Sequence, residues 1–251
     1  MKSLTIPYTI PSLKRIKRVL LALKHGNKSI VSTNINVVRF LKYIGFITND
    51  LKLTDKGKKF LEGNKEVILE SLIENVRGVN EFIRIIKNLV SAGIYKVSFD
   101  YLKGIFPVGF EIDRYLDENS FKALLRLLKK LNLISYQGKY IIIQKPEFFL
   151  KVKTYETKIP TPLEFYDILK EYVKGKESVD GWYYVNLTSL NRLLVKKGYS
   201  PIRLNEFIIL LDDLQRIHKM IQWTGFNCPR FVGNRSPRLY DFHNIHIKFR
   251  K

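Results

Sequence analysis

The chain has 251 residues, 45% of them hydrophobic, and its 44 Lys and Arg face only 23 Asp and Glu, so its formal net charge is +21. This apolar content excludes a disordered tail, and the length allows one large domain or two to three small ones. A basic excess of this size indicates a polyanionic partner, with nucleic acid ahead of an anionic membrane. Solvated lysines like those of thermophilic proteins are the alternative explanation, but such surfaces usually balance Lys with Glu.

The single cysteine, Cys228, excludes an intrachain disulfide and predicts a reducing compartment. The first fifteen residues, "MKSLTIPYTIPSLKR", lack a long apolar core and are interrupted by Pro7 and Pro11, so they do not resemble a signal peptide. No uninterrupted apolar run approaches the roughly 20 residues that a membrane span needs. The sequence therefore predicts a cytoplasmic, nucleoid-associated protein without a membrane partner.

The first predicted domain, residues 1–63, opens with two amphipathic helices. The first helix follows Ser12, a candidate N-cap, and ends at Gly26-Asn27. The second helix runs from about residue 33 to residue 44. Apolar residues at helical spacing predict the core side of this second helix, which consists of Val37, Phe40, Leu41 and Ile44.

The stretch "LKYIGFITNDLKLTDKGKKFL", residues 41–61, predicts the end of that helix, a β-hairpin and a further capped helix. Gly45 can adopt the positive φ with which many helices end. Asn49-Asp50 can turn a short hairpin between two extended pieces. Thr54 then fits an N-cap, with Asp55 in the first helical turn.

The second predicted domain, residues 64–153, repeats this scheme. Helices are predicted in "EVILESLIEN", "EFIRIIKNLVSAG" and "SFDYLKGIF". The stretch "DENSFKALLRLLKKLNLISYQGKYIIIQK" then predicts a long helix that leads into a hairpin turned at Gln137-Gly138. The predicted core side of the long helix consists of Phe121, Leu124, Leu125, Leu128 and Leu131.

The third predicted domain, residues 160–251, follows a linker, "KVKTYETKIPTP". Pro162 lies near the start of its first helix, and a second helix ends at Gly198. A third helix, in "SPIRLNEFIILLDDLQRIHKMIQW", is predicted to run into Trp223. A loop, "TGFNCPRFVGNRSPR", and a strand, "LYDFHNIHIKFRK", follow. The predicted fold class is mainly α with small β-hairpins, an α+β protein.

Helices followed by a hairpin, with the last helix leading directly into the first strand, resemble the winged helix-turn-helix superfamily. The resemblance rests on "FLKYIGFI…LKLTDKGKKFL" in the first domain and "LLRLLKKLNLIS…KYIIIQ" in the second, and it extends to the third domain in tandem. It implies that the helix before each hairpin is a recognition helix and that the hairpin is a wing, which reaches the sugar-phosphate backbone or the minor groove.

In the first domain this resemblance assigns double-stranded DNA as the partner of one basic face. The predicted outer face of the second helix carries Asn36, which can pair with adenine, and Arg39, which can pair with guanine. Only three acids, Asp50, Asp55 and Glu62, lie in this domain to repel phosphate. The alternative is an ordinary solvated helix face. The predicted DNA-binding residues of the first domain are Lys14, Arg15, Lys17, Arg18, Asn36, Arg39, Lys42, Tyr43, Lys52 and Lys56.

The other two domains carry further candidate DNA contacts. In the second domain the long helix presents Lys122, Arg126, Lys129 and Lys130, although Asp117 and Glu118 at its start would repel phosphate. In the third domain the corresponding helix carries Glu206, Asp212 and Asp213, a poor surface for the major groove, and can instead hold a protein partner or another copy of the chain. A Gly- and Pro-rich loop suits minor-groove or backbone contact, through Arg230, Arg235 and Arg238.

No catalytic site, cofactor or metal is predicted. A zinc site formed by His243 and His246 with Cys228 and His218 is the alternative. It is disfavoured because His243 and His246 would point to opposite faces of a strand, and structural zinc normally uses Cys or His in close pairs. No Gly-rich phosphate loop of the nucleotide-binding type is present. The carboxylates and lysines of "EFYDILKEYVK" recur on one amphipathic helix, where a solvated face explains them.

The sequence therefore predicts a non-catalytic protein that binds double-stranded DNA through tandem winged-helix domains, in transcription regulation, replication initiation or DNA targeting within a larger complex. A scaffold subunit whose winged helices mainly bind protein or RNA is the alternative. A nuclease whose site the sequence does not reveal is a third hypothesis.

Overall fold

The structure is a computed structural model that describes residues 1–250 except for residues 4, 5, 7, 8, 28, 107–117 and 225–243. The described chain forms two compact units, one made chiefly of residues 5–155 and the other chiefly of residues 156–251. Helices dominate both units, and each contains one small three-stranded antiparallel sheet. The predicted α+β class is confirmed. None of the helices in the described ranges combines the length and the apolar character that crossing a membrane requires.

The N-terminal unit contains nine of the described helices and three strands. In chain order they are α1 Leu13–Lys24, α2 Ile30–Thr33, α3 Ile35–Tyr43, α4 Asp55–Leu61, α5 Val67–Asn75, α6 Arg77–Ser91, β1 Lys96–Ser98, α7 Phe99–Ile105, α8 Glu118–Lys130, β2 Ile134–Gln137, β3 Tyr140–Ile143 and α9 Pro146–Lys151.

The helix ends of residues 12–61 follow the predicted signals. Ser12 caps α1, because its hydroxyl accepts the Arg15 N–H at 3.3 Å. Gly45 adopts a φ of +73° directly after α3. Thr54 caps α4 by accepting the Gly57 N–H at 3.3 Å, and Asp55 lies in the first turn. The local predictions for these helix ends are confirmed.

The predicted hairpin at residues 46–54 is present only as a single bridge, between Ile47 and Leu53. The Thr48 N–H donates to the Lys52 carbonyl at 2.8 Å, and the Leu51 N–H donates to the Thr48 carbonyl at 3.1 Å. Leu51 follows the turn in the left-handed conformation, with a φ of +65°. The bond from Leu51 to Thr48 closes a turn with Asn49-Asp50 at its centre, as predicted, and the flanking pieces are too short to form regular strands.

Residues 1–63 and 64–153 share one hydrophobic core. Its buried residues run along the chain from Ile6 to Val152, and both Phe40 of α3 and Leu72 of α5 are fully buried in it. The structure thus differs from the predicted division into separate domains at residues 63 and 64, since the apolar faces of the two segments pack against each other. The boundary between the two units lies inside the predicted linker.

The first sheet has the strand order β1-β3-β2, with every neighbouring pair antiparallel. The predicted core side of α8 is confirmed, since Phe121, Leu124, Leu125, Leu128 and Leu131 are all buried. A two-residue turn, Gly138-Lys139, joins β2 to β3, one residue later than predicted, and Gly138 has a φ of +57°. Residues 77–143 therefore follow the order helix, strand, helix, helix, strand, strand across their described parts.

The C-terminal unit contains the elements α10 Pro162–Val173, β4 Trp182–Asn186, α11 Leu187–Lys196, α12 Leu204–Asp212, a π-helical turn Asp213–Ile217, β5 Ile221–Thr224 and β6 Asn244–Phe249. Its sheet has the order β4-β6-β5, again antiparallel throughout. The element order and the strand order of residues 77–143 therefore recur in residues 162–249.

The third predicted helix of this unit ends earlier than expected. It closes with the π-helical turn at Ile217, and Lys219 adopts a φ of +54° before β5 begins. Trp223 lies in β5, where its indole N–H donates to Asp212 at 3.1 Å. The prediction that the helix runs into Trp223 was wrong. The helix and β5 both place apolar residues in the same core, so the sequence stays apolar past the end of the helix and does not mark where the strand begins.

Candidate nucleic-acid interface

Four basic side chains form a stripe along the exposed side of α8. Lys122, Arg126, Lys129 and Lys130 are spaced at i, i+4, i+7 and i+8, which places them within about one quadrant of the helix. All four are exposed, and the opposite side of the helix is buried in the core. The stripe is therefore a rigid row of cations that solvent and polyanions can reach.

An acid lies at the start of this stripe, as the sequence indicates. Glu118 pairs with Lys122 at 2.8 Å, one turn along the helix. The hydrogen bond and the positive charge of Lys122, together with the charge of Lys103, hold the pKa of the Glu118 carboxyl below its ordinary value. Glu118 therefore offsets Lys122, and among the described residues no acid pairs with Arg126, Lys129 or Lys130, which form the uncompensated part of the stripe.

The sheet beside α8 adds aromatic and basic groups that sequence reasoning missed. Lys129 lies over the ring of Tyr136 at 5.2 Å, and Lys96 and Lys139 lie 4.6 and 5.9 Å from the ring centre of Tyr140. Burial raises the pKa of the Tyr136 hydroxyl, while the charge of Arg126 acts in the opposite direction. The alternation of apolar and polar residues along β2 and β3 could have placed Tyr136 on an edge strand and Tyr140 on the outer face of the sheet. Only the pairing register of β1 with β3 brings Lys96 beside Tyr140.

On α1, Lys14, Arg15, Lys17 and Arg18 are all exposed, as predicted. Arg15 is tied locally, because its Nε donates to the side-chain oxygen of Asn34 at 3.1 Å. Asn34 separates α2 from α3 and is itself held by its own contact with the Ile30 carbonyl at 3.2 Å. The Arg15 guanidinium thus braces the start of α3 in addition to presenting charge.

The exposed face of α3 that could contact base edges includes fewer of the predicted residues than the sequence indicates. Asn36 and Arg39 are exposed. Lys42 is half-buried and donates to the Asn49 carbonyl at 3.0 Å. Tyr43 is also half-buried, and its hydroxyl donates to the Asn75 carbonyl at 3.1 Å, so its placement on the outer face was wrong. The last residue of α3 thus reaches the last residue of α5, a contact that helical spacing within one segment does not reveal.

The two predicted wing lysines differ in their surroundings. Lys52 is exposed beside the turn at residues 48–52. Lys56 is half-buried and pairs with Glu74 of α5. The structure therefore brings Asn36, Arg39 and Lys52 to solvent and commits Lys56 to an ion pair inside the N-terminal unit.

The three loop arginines Arg230, Arg235 and Arg238, together with Cys228 and His243, lie outside the described residues. The acids of the preceding helix have local partners. Glu206 pairs with Arg203 at 3.0 Å, and Asp212 accepts the Trp223 indole. Within the part of the chain that the structure describes, no group of three or more His, Cys, Asp or Glu side chains could hold a metal ion.

The described residues thus present one rigid basic stripe on α8 and a second, looser basic surface on α1 and α3. Comparison of the chain with protein-family models, with curated proteins and with solved structures finds no match.

Proposed function

We propose that the chain is a non-catalytic protein that binds double-stranded DNA, with α8 as its main contact. The observation that carries the proposal is the uncompensated row of Arg126, Lys129 and Lys130 on a helix whose other side is anchored in the core. An α-helix fits the major groove of B-DNA, and fixed cations along it contact phosphates on both sides of the groove.

The topology around α8 supports this proposal. Residues 77–143 have the element order helix, strand, helix, helix, strand, strand and the sheet order β1-β3-β2. This arrangement is expected of a winged helix-turn-helix domain, and it recurs in residues 162–249. In such a domain the helix before the hairpin enters the major groove, and the hairpin lies beside the backbone. Lys139 at the β2–β3 turn is then the wing residue, next to the exposed Tyr140.

The test is a titration of duplex DNA with the full chain and with Arg126→Ala/Lys129→Ala/Lys130→Ala. Loss of three phosphate contacts is expected to weaken binding to every duplex and to lower the log-log salt slope by about three. The matched control is Lys170→Ala/Lys174→Ala/Lys196→Ala, which leaves α8 intact. It removes three exposed lysines, one in α10, one directly after α10 and one in α11. Equal losses for both variants would show that only the net charge matters and would contradict the role of α8.

A second candidate function, a scaffold that binds protein, is favoured by the helix that corresponds to α8 in the C-terminal unit. There α12 and the π-helical turn expose Ile209 and Ile217, at 58% and 70%, in place of a basic row. Exposed apolar side chains on one helical surface are typical of protein interfaces. An Ile209→Asp/Ile217→Asp variant that loses self-association in sedimentation, while duplex binding persists, would assign this helix to protein contact.

A further inference from the structure

The outer face of the C-terminal sheet, which points away from the core, is lined by two rows of side chains. Val185, Ile245 and Ile247 are fully buried on the inner face, so their neighbours on each strand lie on the outer face. Lys248 of β6 lies between Trp182 of β4 and Gln222 of β5, which makes the first row. His246 lies between Tyr184 and Thr224, which makes the second. We call Trp182, Tyr184, His246 and Lys248 the aromatic sheet face.

The rings of this face are accessible and spaced by the strand itself. Tyr184 is 48% exposed and Trp182 is partly exposed. Residues two apart on a strand stand about 6.6–6.8 Å apart on the same face. Two rings at this separation can each receive one of two adjacent bases, because the bases of a single strand are unstacked and splayed out when a sheet surface binds them.

Local geometry fixes Lys248 and His246 beside these rings. An Asp180-Gly181 turn, in which both residues have positive φ, joins Val179 to Trp182 and starts β4. A Cβ atom at Gly181 would lie 3.3 Å from the Lys248 side chain, so the Lys248 stem packs over this glycine and its ammonium lies 6.0 Å from the Trp182 ring centre. The His246 ring lies 5.7 Å from that of Tyr184.

We propose that the aromatic sheet face binds single-stranded nucleic acid by stacking one base on Trp182 and the next on Tyr184, with Lys248 at the intervening phosphate. Strands β4, β5 and β6 carry no acidic residue, so the face is complementary to a polyanion in a chain of net charge +21. Stacking on exposed aromatic side chains beside lysines is how sequence-tolerant single-strand sites work, because every base has a π-face. This site goes beyond duplex binding and does not depend on α8.

Tryptophan fluorescence gives a direct readout, because the chain has only two tryptophans, Trp182 and Trp223. The probe is a thymidine oligonucleotide of about 12 nucleotides, within the length that one single-strand site covers. Its addition is expected to quench fluorescence in the full chain and in Trp223→Phe, and to leave Trp182→Phe unquenched. Trp223 lies on the inner side, with its indole bonded to Asp212.

Affinity variants then test the stacking itself. Trp182→Ala/Tyr184→Ala is expected to weaken oligonucleotide binding on the order of 100-fold, whereas Trp182→Phe/Tyr184→Phe keeps both rings and most of the affinity. The matched control, Ile159→Ala/Leu163→Ala, removes two exposed apolar side chains of the same unit, at 37% and 52% exposure, and is expected to bind normally. Circular dichroism melting confirms that each variant is folded.

Failure of this proposal is distinguishable from failure of duplex binding. The α8 triple variant is expected to lose duplex affinity and to keep Trp182 quenching, and Trp182→Ala/Tyr184→Ala is expected to keep duplex affinity and to lose oligonucleotide binding. Unchanged oligonucleotide affinity in the folded double variant would overturn the proposal. So would a double variant that only loses self-association, since the face would then hold another copy of the chain.

Discussion

The α-carbon of Gly57 packs directly against the carbonyl oxygen of Phe46. A Cβ atom at Gly57 would overlap that oxygen, and Gly57 is buried in the first turns of α4. The same carbonyl accepts the Thr54 N–H at 3.0 Å, and the Thr54 hydroxyl donates to the Gly45 carbonyl at 2.6 Å. The glycine therefore allows α4 to close over the end of α3 at backbone distance.

We expect Gly57→Ala to destabilise the N-terminal unit by about 1–3 kcal/mol, because the methyl group must displace backbone and not a flexible side chain. Gly104→Ala is the matched control, since Gly104 lies in α7 with open space around it. There alanine is expected to stabilise by about 0.5–1 kcal/mol through helix propensity. Urea unfolding of both variants measures the difference, and equal effects would mean that α4 does not approach Phe46.

Phe40→Ala should destabilise the N-terminal unit by about 3–5 kcal/mol, because Phe40 is fully buried in the shared core. Since that core extends to Val152, a single cooperative transition is expected, and not the separate unfolding of residues 1–63. Ile35→Ala on the same helix, at 49% exposure, is the control and should change stability by less than about 0.5 kcal/mol. A separate transition for residues 1–63 in calorimetry would contradict the shared core.

Duplex affinity should fall steeply with salt concentration, because lysine and arginine contacts to phosphate release counterions. With about six contacts, the slope of log K against log salt would be roughly −5. Fluorescence anisotropy of a labelled duplex over a salt series measures it. A nearly flat response would remove the electrostatic basis of the proposed function.

Arg39 and Lys52 should differ in what they contribute to duplex binding. Arg39 is exposed in the middle of α3, one turn from Asn36, where it can reach base edges. Arg39→Ala is expected to cost about 1–3 kcal/mol on a preferred site and little on other sequences. Lys52→Ala is expected to weaken all sequences alike and to lower the salt slope by about one.

A randomised-site selection followed by titration of preferred and scrambled duplexes compares the two variants. Equal losses on both duplexes for Arg39→Ala would show that α3 contacts only the backbone. Normal binding by both variants would remove α3 and the adjacent turn from the DNA surface and leave α8 as the contact.

The C-terminal unit should lose stability in acid through Glu164. Its carboxylate accepts the Thr161 N–H at 2.8 Å and the Thr161 hydroxyl at 2.9 Å, and these bonds, with one from Tyr199, lower the pKa of Glu164 from its ordinary value of 4.5. A lowered folded-state pKa stabilises the fold above the ordinary value, and this contribution disappears as pH falls through the lowered one.

Glu164→Gln should therefore lower the melting temperature near neutral pH, and the difference from the parent should shrink at about pH 3, where unfolded carboxyls are protonated. Glu177→Gln removes the same charge from the exposed loop after α10 and serves as the control. A Glu164→Gln deficit that stays constant from neutral to acid pH would contradict the role of the ionised carboxylate.

Local sequence signals determined the helix ends and the core sides of the helices. The caps at Ser12 and Thr54, the helix end at Gly45 and the five buried residues of α8 and its end depend on contacts within a few residues, so propensity and spacing were sufficient to predict them. The net charge likewise follows from composition alone.

Only the tertiary structure decided which segments share a core and which basic residues remain free to bind a partner. The pairing of Lys56 with Glu74 and the bond from Tyr43 to Asn75 join residues far apart in the chain. The aromatic sheet face depends on the register that sets Trp182 opposite Lys248. Such contacts arise because packing and strand pairing select partners across long sequence separations, where the period of one helix or strand carries no information.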